Sequence, residues 1–305
     1  MFIVRNITLL FSTLLTLFLL VTNHKISITE DFIFEIKQGA SLQEVTNELD
    51  KMDLITSNLL FKLNAKIHNI EKRIKAGEYL LSKSESIFTL QRKFIEGDVF
   101  YRKLQFLEGM TTRDIFELGN SEGIIDDING DLEALKFKLN IIGQTEGLFF
   151  PDTFYYKKGD AFSSLLKRAF DKQKIVYLDL WDSRQEGLPY TSFIEAITLA
   201  SIIEKEGLEK EMIAGVFMNR LRKNMKLQSD PTVIYALGSE FDGDIKRSHL
   251  RIDNPYNTYK YKGLPPGPIG LVSLSSVKAA LNPKQSDYLY FVSMNNGYHK
   301  FSKTL

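Results

Sequence analysis

The chain has 305 residues, of which 44% are hydrophobic and 25% charged, and it contains no cysteine. This is the composition of a folded chain with a substantial core, and it excludes disulfide scaffolds and thiolate catalysis. The formal net charge of +1 gives no sign of a nucleic-acid partner. The four histidines have no metal-ligand spacing, so neither a metal site nor a cofactor is expected.

An apolar run, broken only by serine and threonine, occupies residues 7–21. Counted from Phe2 to Thr22 it is long enough to span a bilayer, which needs roughly 20 residues. No small-residue cleavage site follows the run, so the pattern favours an uncleaved anchor over a signal peptide. We predict a transmembrane anchor over residues 1–24, with the bulk of the chain outside the cytoplasmic membrane.

Two later stretches, residues 34–49 and 102–118, share one pattern. Each combines strand-like alternation, a glycine turn, and then a Ser or Thr with an acidic residue three positions further on. This spacing is typical of a capping box at the start of a helix. The sequence therefore predicts two strand–turn–helix units.

Helical periodicity of apolar residues predicts two further helices, over residues 162–181 and about 210–223. The first of these is long and amphipathic. Its expected buried side carries Leu165, Leu166, Ala169, Phe170 and Ile175.

The segment TSFIEAITLASIIEKEG, residues 191–207, predicts a helix that is buried on most sides. Ser192 and Glu195 have the spacing of a capping box, which marks the start of this helix. Gly207 is the expected stop, because glycine enters the left-handed position after a helix at little cost.

Glu204 lies in the last turn of this predicted helix, on the same face as apolar residues above it. Burial and the negative end of the helix dipole both raise the pKa of a carboxyl group in this position. A general acid that works near neutral pH needs a raised pKa. The same reasoning applies to Glu206, and a solvated helix end would have the same sequence pattern.

A short helix is predicted between Pro231, at its first position, and Gly238, which ends it. Gln228, Ser229 and Asp230 would then lie on a loop at a helix N-terminus, where polar ligand groups are readily held. Asp230 can also be a helix cap alone, worth roughly 1 kcal/mol.

Eight blocks of the sequence are distinctive in length and order. They are EGLFFPDTFYY (146–156), LASIIEKE (199–206), VFMNRL (216–221), LQSDPTVIYALG (227–238), NPYNTY (254–259), GLPPGPI (263–269), AALNP (279–283) and YLYFV (288–292). Together these blocks resemble the MltG-type (YceG-like) endolytic murein transglycosylases. The resemblance implies endolytic cleavage of the MurNAc–GlcNAc bond in nascent peptidoglycan strands, with 1,6-anhydro-MurNAc ends as the product. It also implies that one glutamate of the LASIIEKE block acts first as acid and then as base. The resemblance places this role on Glu204 and ranks it above Glu206.

Within these blocks, side chains that hydrogen-bond to sugars or stack on them are expected to bind the substrate. The expected substrate-binding residues are Glu146, Asn219, Gln228, Ser229, Asp230, Thr232, Tyr256, Asn257 and Tyr259. The implied partners are peptidoglycan glycan strands and peptidoglycan synthases of the elongation or division machinery.

The expected fold class is α+β, in three parts. Residues 1–24 form the anchor. The family resemblance implies that residues 25–98 are a small LysM-like subdomain and that residues 99–305 are a larger mixed α/β catalytic domain. The LysM-like part either holds glycan or merely packs, and the sequence leaves both open.

Two other functions remain open at this level. One is a muramidase that uses water, with Asp230 or Glu146 as its second carboxylate. The other is a membrane-tethered, glycan-binding scaffold of the wall-synthesis machinery, in which Glu204 is only structural.

Overall fold

The structure is a computed structural model. It describes Leu9, Ser12, Thr13, Thr16, Ile28 and residues 30–305, except residues 56, 84, 123 and 295–297. The predicted anchor over residues 1–24 lies outside the described residues, apart from four of them. Among the described residues, no helix has the length and apolar character needed to cross a membrane. The anchor therefore stays a prediction.

Short strands are interspersed among helices in the first half of the described chain, and five consecutive α-helices followed by two strands form the rest. The elements are β1 (Phe32–Ile36), α1 (Leu42–Lys51), α2 (Asn58–Ile67), β2 (Gly77–Leu81), α3 (Ile87–Glu96), β3 (Arg102–Gln105), α4 (Thr112–Ser121), α5 (Leu132–Leu139), β4 (Thr153–Tyr156), α6 (Phe162–Asp182), α7 (Phe193–Glu206), α8 (Lys210–Arg222), α9 (Asp230–Leu237), α10 (Leu274–Leu281), β5 (Tyr290–Ser293) and β6 (His299–Ser302). Two short 3-10 helices follow α9, at Gly238–Glu240 and His249–Arg251. The helices predicted over 162–181, 191–207 and 210–223 are confirmed as α6, α7 and α8.

The strands of the described residues form three two-stranded sheets, β1–β2, β3–β4 and β5–β6. The first sheet is antiparallel, with Phe32 opposite Leu81. The last sheet is an antiparallel hairpin, with Tyr290 opposite Ser302. The architecture is mixed α/β with small sheets, which confirms the expected mixture of helices and strands at this coarse level.

The chain divides into two compact units. Unit 1 comprises residues 1–102 and 155–158, and unit 2 comprises residues 103–154 and 159–305. The sequence-based domain limits stay a prediction.

Unit 1 has its own hydrophobic core under the β1–β2 sheet. Phe61, Tyr79 and Phe94 are fully buried in it, and the rings of Tyr79 and Phe94 meet edge to face with centroids 4.8 Å apart. Helix α1 begins with a complete capping box between Ser41 and Glu44, as the sequence predicts. The unit therefore combines a strand–helix–helix–strand order with a separate packed core.

The core of unit 2 is built around α7. Residues 196–203 of this helix are all buried, and α8, α9 and α10 pack against it. The capping box between Ser192 and Glu195 is present at its start, as predicted. Helix α6 is tied to this core by the hydroxyl of Tyr177, which donates a 2.5 Å hydrogen bond to the Val272 carbonyl. Because α7 is enclosed by other helices, its C-terminal side chains are held in fixed positions.

One predicted core residue is wrong. Ile175 on α6 is 70% exposed, whereas Gln173 and Tyr177 are buried. The buried stripe follows the spacing of three and four residues from Ala169 and Phe170 to Gln173 and Tyr177, and Ile175 lies off this stripe. The prediction assumed that the apolar Ile175 would be buried, but the polar Gln173 takes the buried position on this face of the helix.

Candidate active site

The carboxylate of Glu204, in the last turn of α7, is surrounded by hydrogen-bond donors. Lys210 Nζ lies 2.8 Å from Oε1 in an ion pair. Ser273 donates to Oε2 through its backbone N–H, at 2.8 Å, and through its hydroxyl, at 2.5 Å. The Ser276 hydroxyl donates to the same oxygen at 2.6 Å. Burial by itself raises the pKa of Glu204, but these donors outweigh it, so that the pKa lies below its usual range.

The carboxylate of Glu206, two residues further on, has a different environment. The Ser229 hydroxyl donates to its Oε1 at 2.5 Å. Burial raises the pKa of Glu206 to about 7, and the negative charge of Asp230 acts in the same direction. The Ser229 hydrogen bond and the positive charge of Arg220 oppose this rise without cancelling it. Glu206 therefore exchanges a proton near neutral pH.

The two glutamates at the end of α7 thus differ in charge state at pH 7. Glu204 is a carboxylate neutralised by a lysine, which suits a structural ion pair. Glu206 is divided between its protonated and ionised forms, which suits a general acid. The raised pKa expected for Glu204 is wrong, because the sequence did not show the donors that gather around it. The expected catalytic role of Glu204 stays a prediction.

Gly207 follows α7 in an extended conformation, with φ 164° and ψ −167°. Helix α7 ends before Gly207, as expected, but the expected left-handed conformation of this glycine is wrong. Glycine is required here for space, because a Cβ atom would lie 2.6 Å from Cε1 of His299. The backbone N–H of His299 donates to Glu209 at 2.6 Å. The β5–β6 hairpin thus packs directly against the residue that follows Glu206.

Asn219 and Arg220 of α8 hold this hairpin and the loop before α9. Asn219 donates both amide hydrogens to backbone carbonyls just before β5, at 2.7 and 2.9 Å. Arg220 is buried and donates to the carbonyls of Leu289 and Leu227, at 2.7 and 2.6 Å. The amide of Asn219, expected to bind substrate, is thus engaged within the protein.

The loop before α9 carries three of the expected substrate-binding residues. Gln228 is exposed and has a left-handed backbone, with φ 51°. Ser229 is the N-cap residue, but its hydroxyl points to Glu206 and does not cap the helix. Asp230 is the first helical residue and accepts a 2.6 Å hydrogen bond from the Tyr259 hydroxyl. The capping role considered for Asp230 is therefore wrong.

Thr232 and Asn257 are fully buried. Thr232 donates to the Ser229 carbonyl at 2.7 Å. The amide of Asn257 donates to two backbone carbonyls, at 2.9 and 3.2 Å, and its oxygen accepts from the N–H of Tyr259. In this structure neither side chain can contact a substrate directly. They contribute by fixing the loops that carry Ser229 and Tyr259.

Glu146 and Tyr256 lie apart from Glu206, in a cleft of about 1270 Å³ within unit 2. Glu146 is almost fully buried and accepts from the N–H of Thr112, at 3.0 Å, and from the Tyr235 hydroxyl, at 3.2 Å. Burial raises the pKa of Glu146 to about 7 against these hydrogen bonds. The rings of Tyr235 and Tyr256 are 4.8 Å apart, and the Tyr256 hydroxyl donates to Gln144 at 3.0 Å.

Comparison with known proteins identifies the family. The profile described as the YceG-like family matches residues 34–305 of the chain. The chain belongs to the YceG-like family. Residues 34–305 include both units apart from the start of unit 1, so the membership covers the fold as well as the candidate active site.

Two relatives carry the name endolytic murein transglycosylase. The protein of Bacillus subtilis (strain 168) is 33% identical over 293 residues, covering 88% of this chain and 81% of the relative. The protein of Streptococcus pneumoniae (strain ATCC BAA-255 / R6) is 30% identical over 300 residues, covering 85% of this chain and 53% of the relative. The chain thus spans about half the length of the pneumococcal protein.

The fold of this YceG-like chain is similar to a crystal structure of a YceG-like protein from Listeria monocytogenes. The TM-score is 0.58 at 32% sequence identity, covering 91% of this chain and 97% of the other. At this identity the likeness extends to the family and not to the fold alone.

Several side chains of this YceG-like site were not among the site residues predicted from the sequence. Lys210 neutralises Glu204, and Ser273 and Ser276 donate hydrogen bonds to it. Tyr235 donates to Glu146, and the positive charge of Arg220 acts on Glu206. Ser273 had one detectable signal, since it caps α10, but nothing in the sequence pointed its hydroxyl to α7.

Proposed function

We propose that this YceG-like chain is an endolytic lytic transglycosylase that cleaves the MurNAc–GlcNAc bond in peptidoglycan strands. The names of the relatives, at 30 to 33% identity over most of the chain, support the reaction class. The observation that carries the chemistry is the environment of Glu206, whose pKa of about 7 lets it give and take a proton near neutral pH.

We assign the acid and base roles to Glu206, in place of the Glu204 that the sequence predicted. Glu204 is held as a carboxylate by Lys210 and two serines, so it has no proton to give at neutral pH. Glu206 contacts Ser229, on the polar loop expected to meet the substrate. The resemblance ranks Glu204 above Glu206, so this assignment departs from it and rests on the surroundings of the two carboxyl groups.

The mechanism uses one carboxyl group twice. Protonated Glu206 gives its proton to the glycosidic oxygen as the bond to C1 of N-acetylmuramic acid breaks. The resulting carboxylate takes the proton of that sugar's own C6 hydroxyl, whose oxygen closes onto C1 to form the 1,6-anhydro ring. Glu206 ends as it began, protonated, and water is not consumed. The tethered hydroxyl replaces water, and its proximity supplies part of the rate.

A water-using muramidase is the second candidate, and one observation favours it. Asp230 lies close enough to Glu206 for its charge to raise the pKa of that carboxyl group. A second carboxylate beside the acid is the arrangement that glycoside hydrolases use. In this alternative Asp230 activates a water molecule or stabilises the cationic sugar carbon.

The experiment that tests the proposal is mass spectrometry of glycan ends released from purified peptidoglycan sacculi by the full chain. We expect 1,6-anhydro ends from the wild type and from Glu204→Gln, and none from Glu206→Gln. Loss in Glu204→Gln alone would return the role to Glu204. Reducing ends would identify a muramidase, and binding without release in all three proteins would identify a scaffold.

We also propose that residues 1–24 anchor the chain in the bacterial cytoplasmic membrane as a single pass, with the catalytic unit on the outer or periplasmic face. The apolar run over residues 7–21 supports this. The LysM-like part, residues 25–98, holds glycan in this proposal, and peptidoglycan synthases are partners. Both statements rest on the resemblance of the sequence.

A further inference from the structure

The cleft beside Glu146 is large for a single small molecule. Its volume is about 1270 Å³, whereas small-molecule sites typically enclose roughly 300–1,000 Å³. All the residues that line it belong to unit 2. Neither Glu204 nor Glu206 is among them, although Lys205, between the two, is. The cleft therefore has room for part of an extended ligand.

Two tyrosines on the cleft wall provide an aromatic surface. Tyr235 and Tyr256 have ring centroids 4.8 Å apart and planes inclined by 52°. Neither ring is fully buried, and both hydroxyls are anchored, by Glu146 and Gln144 respectively. Rings that are held in place and partly open to solvent suit stacking against the apolar face of a sugar.

Glu146 supplies the polar group at the same place. Its carboxyl oxygens accept from the N–H of Thr112, at 3.0 and 3.3 Å, and from the Tyr235 hydroxyl. The backbone of Gly147 also hydrogen-bonds to this carboxyl group. In its protonated form, Glu146 can in addition donate a hydrogen bond to a hydroxyl or acetamido oxygen of a ligand. An aromatic surface beside a fixed polar group is the combination that orients a pyranose ring.

Helix α9 joins this cleft to the acid. Its N-cap residue, Ser229, contacts Glu206, and Tyr235, near its other end, contacts Glu146. Six residues at 1.5 Å per residue place these two contacts about 9 Å apart along the helix axis. The contact with the acid and the contact with Glu146 are therefore held by one helix, at a separation that a glycan strand can bridge.

We infer that the cleft formed by Tyr235, Tyr256 and Glu146 is a sugar subsite, separate from the acid, that binds an N-acetylated pyranose of a glycan strand. The choice of glycan rests on the proposed function. The subsite holds the strand by stacking and by neutral hydrogen bonds. Engagement at this distance from the acid favours cleavage inside a strand, because a terminal disaccharide at Glu206 would leave the cleft empty.

The test measures binding of chitotetraose, the N-acetylglucosamine tetramer, by calorimetry to the full-length Glu206→Gln protein in nonionic detergent. We expect Tyr256→Ala on this background to weaken binding at least tenfold. Tyr256→Phe keeps the ring and loses only the hydroxyl, which contacts Gln144 and Tyr235, so it should stay within about threefold of the parent. Tyr261→Ala is the matched control, since this exposed tyrosine bonds Asp253 and does not line the cleft.

Because chitotetraose carries no charge, affinity should change little between 50 and 500 mM salt. Equal binding by Tyr256→Ala and the parent, at unchanged circular dichroism and Tm, would overturn the inference. So would a loss in Tyr256→Phe as large as that in Tyr256→Ala, or no binding of chitotetraose by the parent. Cleavage by the wild type is scored separately, so a protein that binds through Tyr256 but does not cleave would refute only the proposed function.

Discussion

The hydroxyl of Ser229 donates a 2.5 Å hydrogen bond to Oε1 of Glu206, although the two residues are 23 positions apart. This contact connects the start of α9 to the end of α7. It also stabilises the ionised form of Glu206, because a hydroxyl donates to a carboxylate more strongly than to a neutral acid. Ser229 therefore tunes the group that we propose as acid and base.

Replacing Ser229 by alanine should raise the pKa of Glu206 above its present value of about 7. The acid step needs the protonated form, so the alkaline limb of the kcat/KM profile should move to higher pH. The maximal rate should fall about tenfold, since a hydrogen bond to a charged group is lost. The measurement is the rate of glycan release between pH 5 and 9. Ser121→Ala, which removes an exposed hydroxyl on α4, should leave the profile unchanged, and a shift of the Ser229→Ala limb to lower pH would contradict the assignment.

Glu146 should make the stability of the protein depend on pH. Its pKa is about 7 in the folded state, above the ordinary value of 4.5, so the folded state keeps a proton that the unfolded state loses. The resulting stability is complete below about pH 4.5 and is lost as the pH rises to about 7. The free energy of unfolding should therefore decrease as the pH rises, and in Glu146→Gln this decrease should be smaller by on the order of 3 kcal/mol.

Urea denaturation at half-unit steps from pH 4.5 to 8 measures this dependence. Glu133→Gln is the matched control, because the Glu133 side chain is 79% exposed. If the pH dependence of Glu146→Gln and of the wild type were parallel, Glu146 would have an ordinary pKa.

The ion pair between Lys210 and Glu204 is expected to be structural. Lys210→Met strands a largely buried carboxylate and should lower the free energy of unfolding by about 3 kcal/mol. Adding Glu204→Gln removes the stranded charge, so the double variant should be more stable than Lys210→Met alone. Thermal unfolding of the wild type, the two single variants and the double variant gives the coupling energy of a double-mutant cycle. A double variant that is less stable than Lys210→Met would show that Glu204 contributes independently of the lysine.

Gly207→Ala tests why glycine follows α7. The extended backbone permits alanine, but the added Cβ would lie 2.6 Å from Cε1 of His299. We expect a loss of about 1–3 kcal/mol from overpacking. Combining it with His299→Ala should recover most of this loss relative to His299→Ala alone. If the second substitution recovered nothing, backbone conformation would be the reason for the glycine, as the sequence first suggested.

The regular elements near the site could be predicted because their signals are local. The capping box of Ser192 and Glu195 and the apolar run behind it mark α7 within one helical segment. Gly238 likewise ends α9, as expected. Ile175 was misplaced because apolar character alone does not decide which face of a long helix meets the core.

The contacts of the polar side chains in the site could not be predicted in this way. Thr232 and Asn257 look like sugar-binding residues in the sequence, yet both are fully buried and bind loops of their own chain. The residue type does not show whether a polar side chain in a loop faces solvent or hydrogen-bonds to the backbone of its own chain. Only the folded structure shows which of the two occurs.

The sequence by itself identified the family blocks and the helix that carries the glutamates, and it limited the candidate acids to two neighbouring carboxyl groups. Only the tertiary structure distinguished these two groups. The serines that hold Glu204 are 69 and 72 positions away, and the serine that contacts Glu206 is 23 positions away. A pKa depends on burial, hydrogen bonds and nearby charges, and for Glu204 and Glu206 most of these come from residues distant in the sequence that meet only when the chain folds.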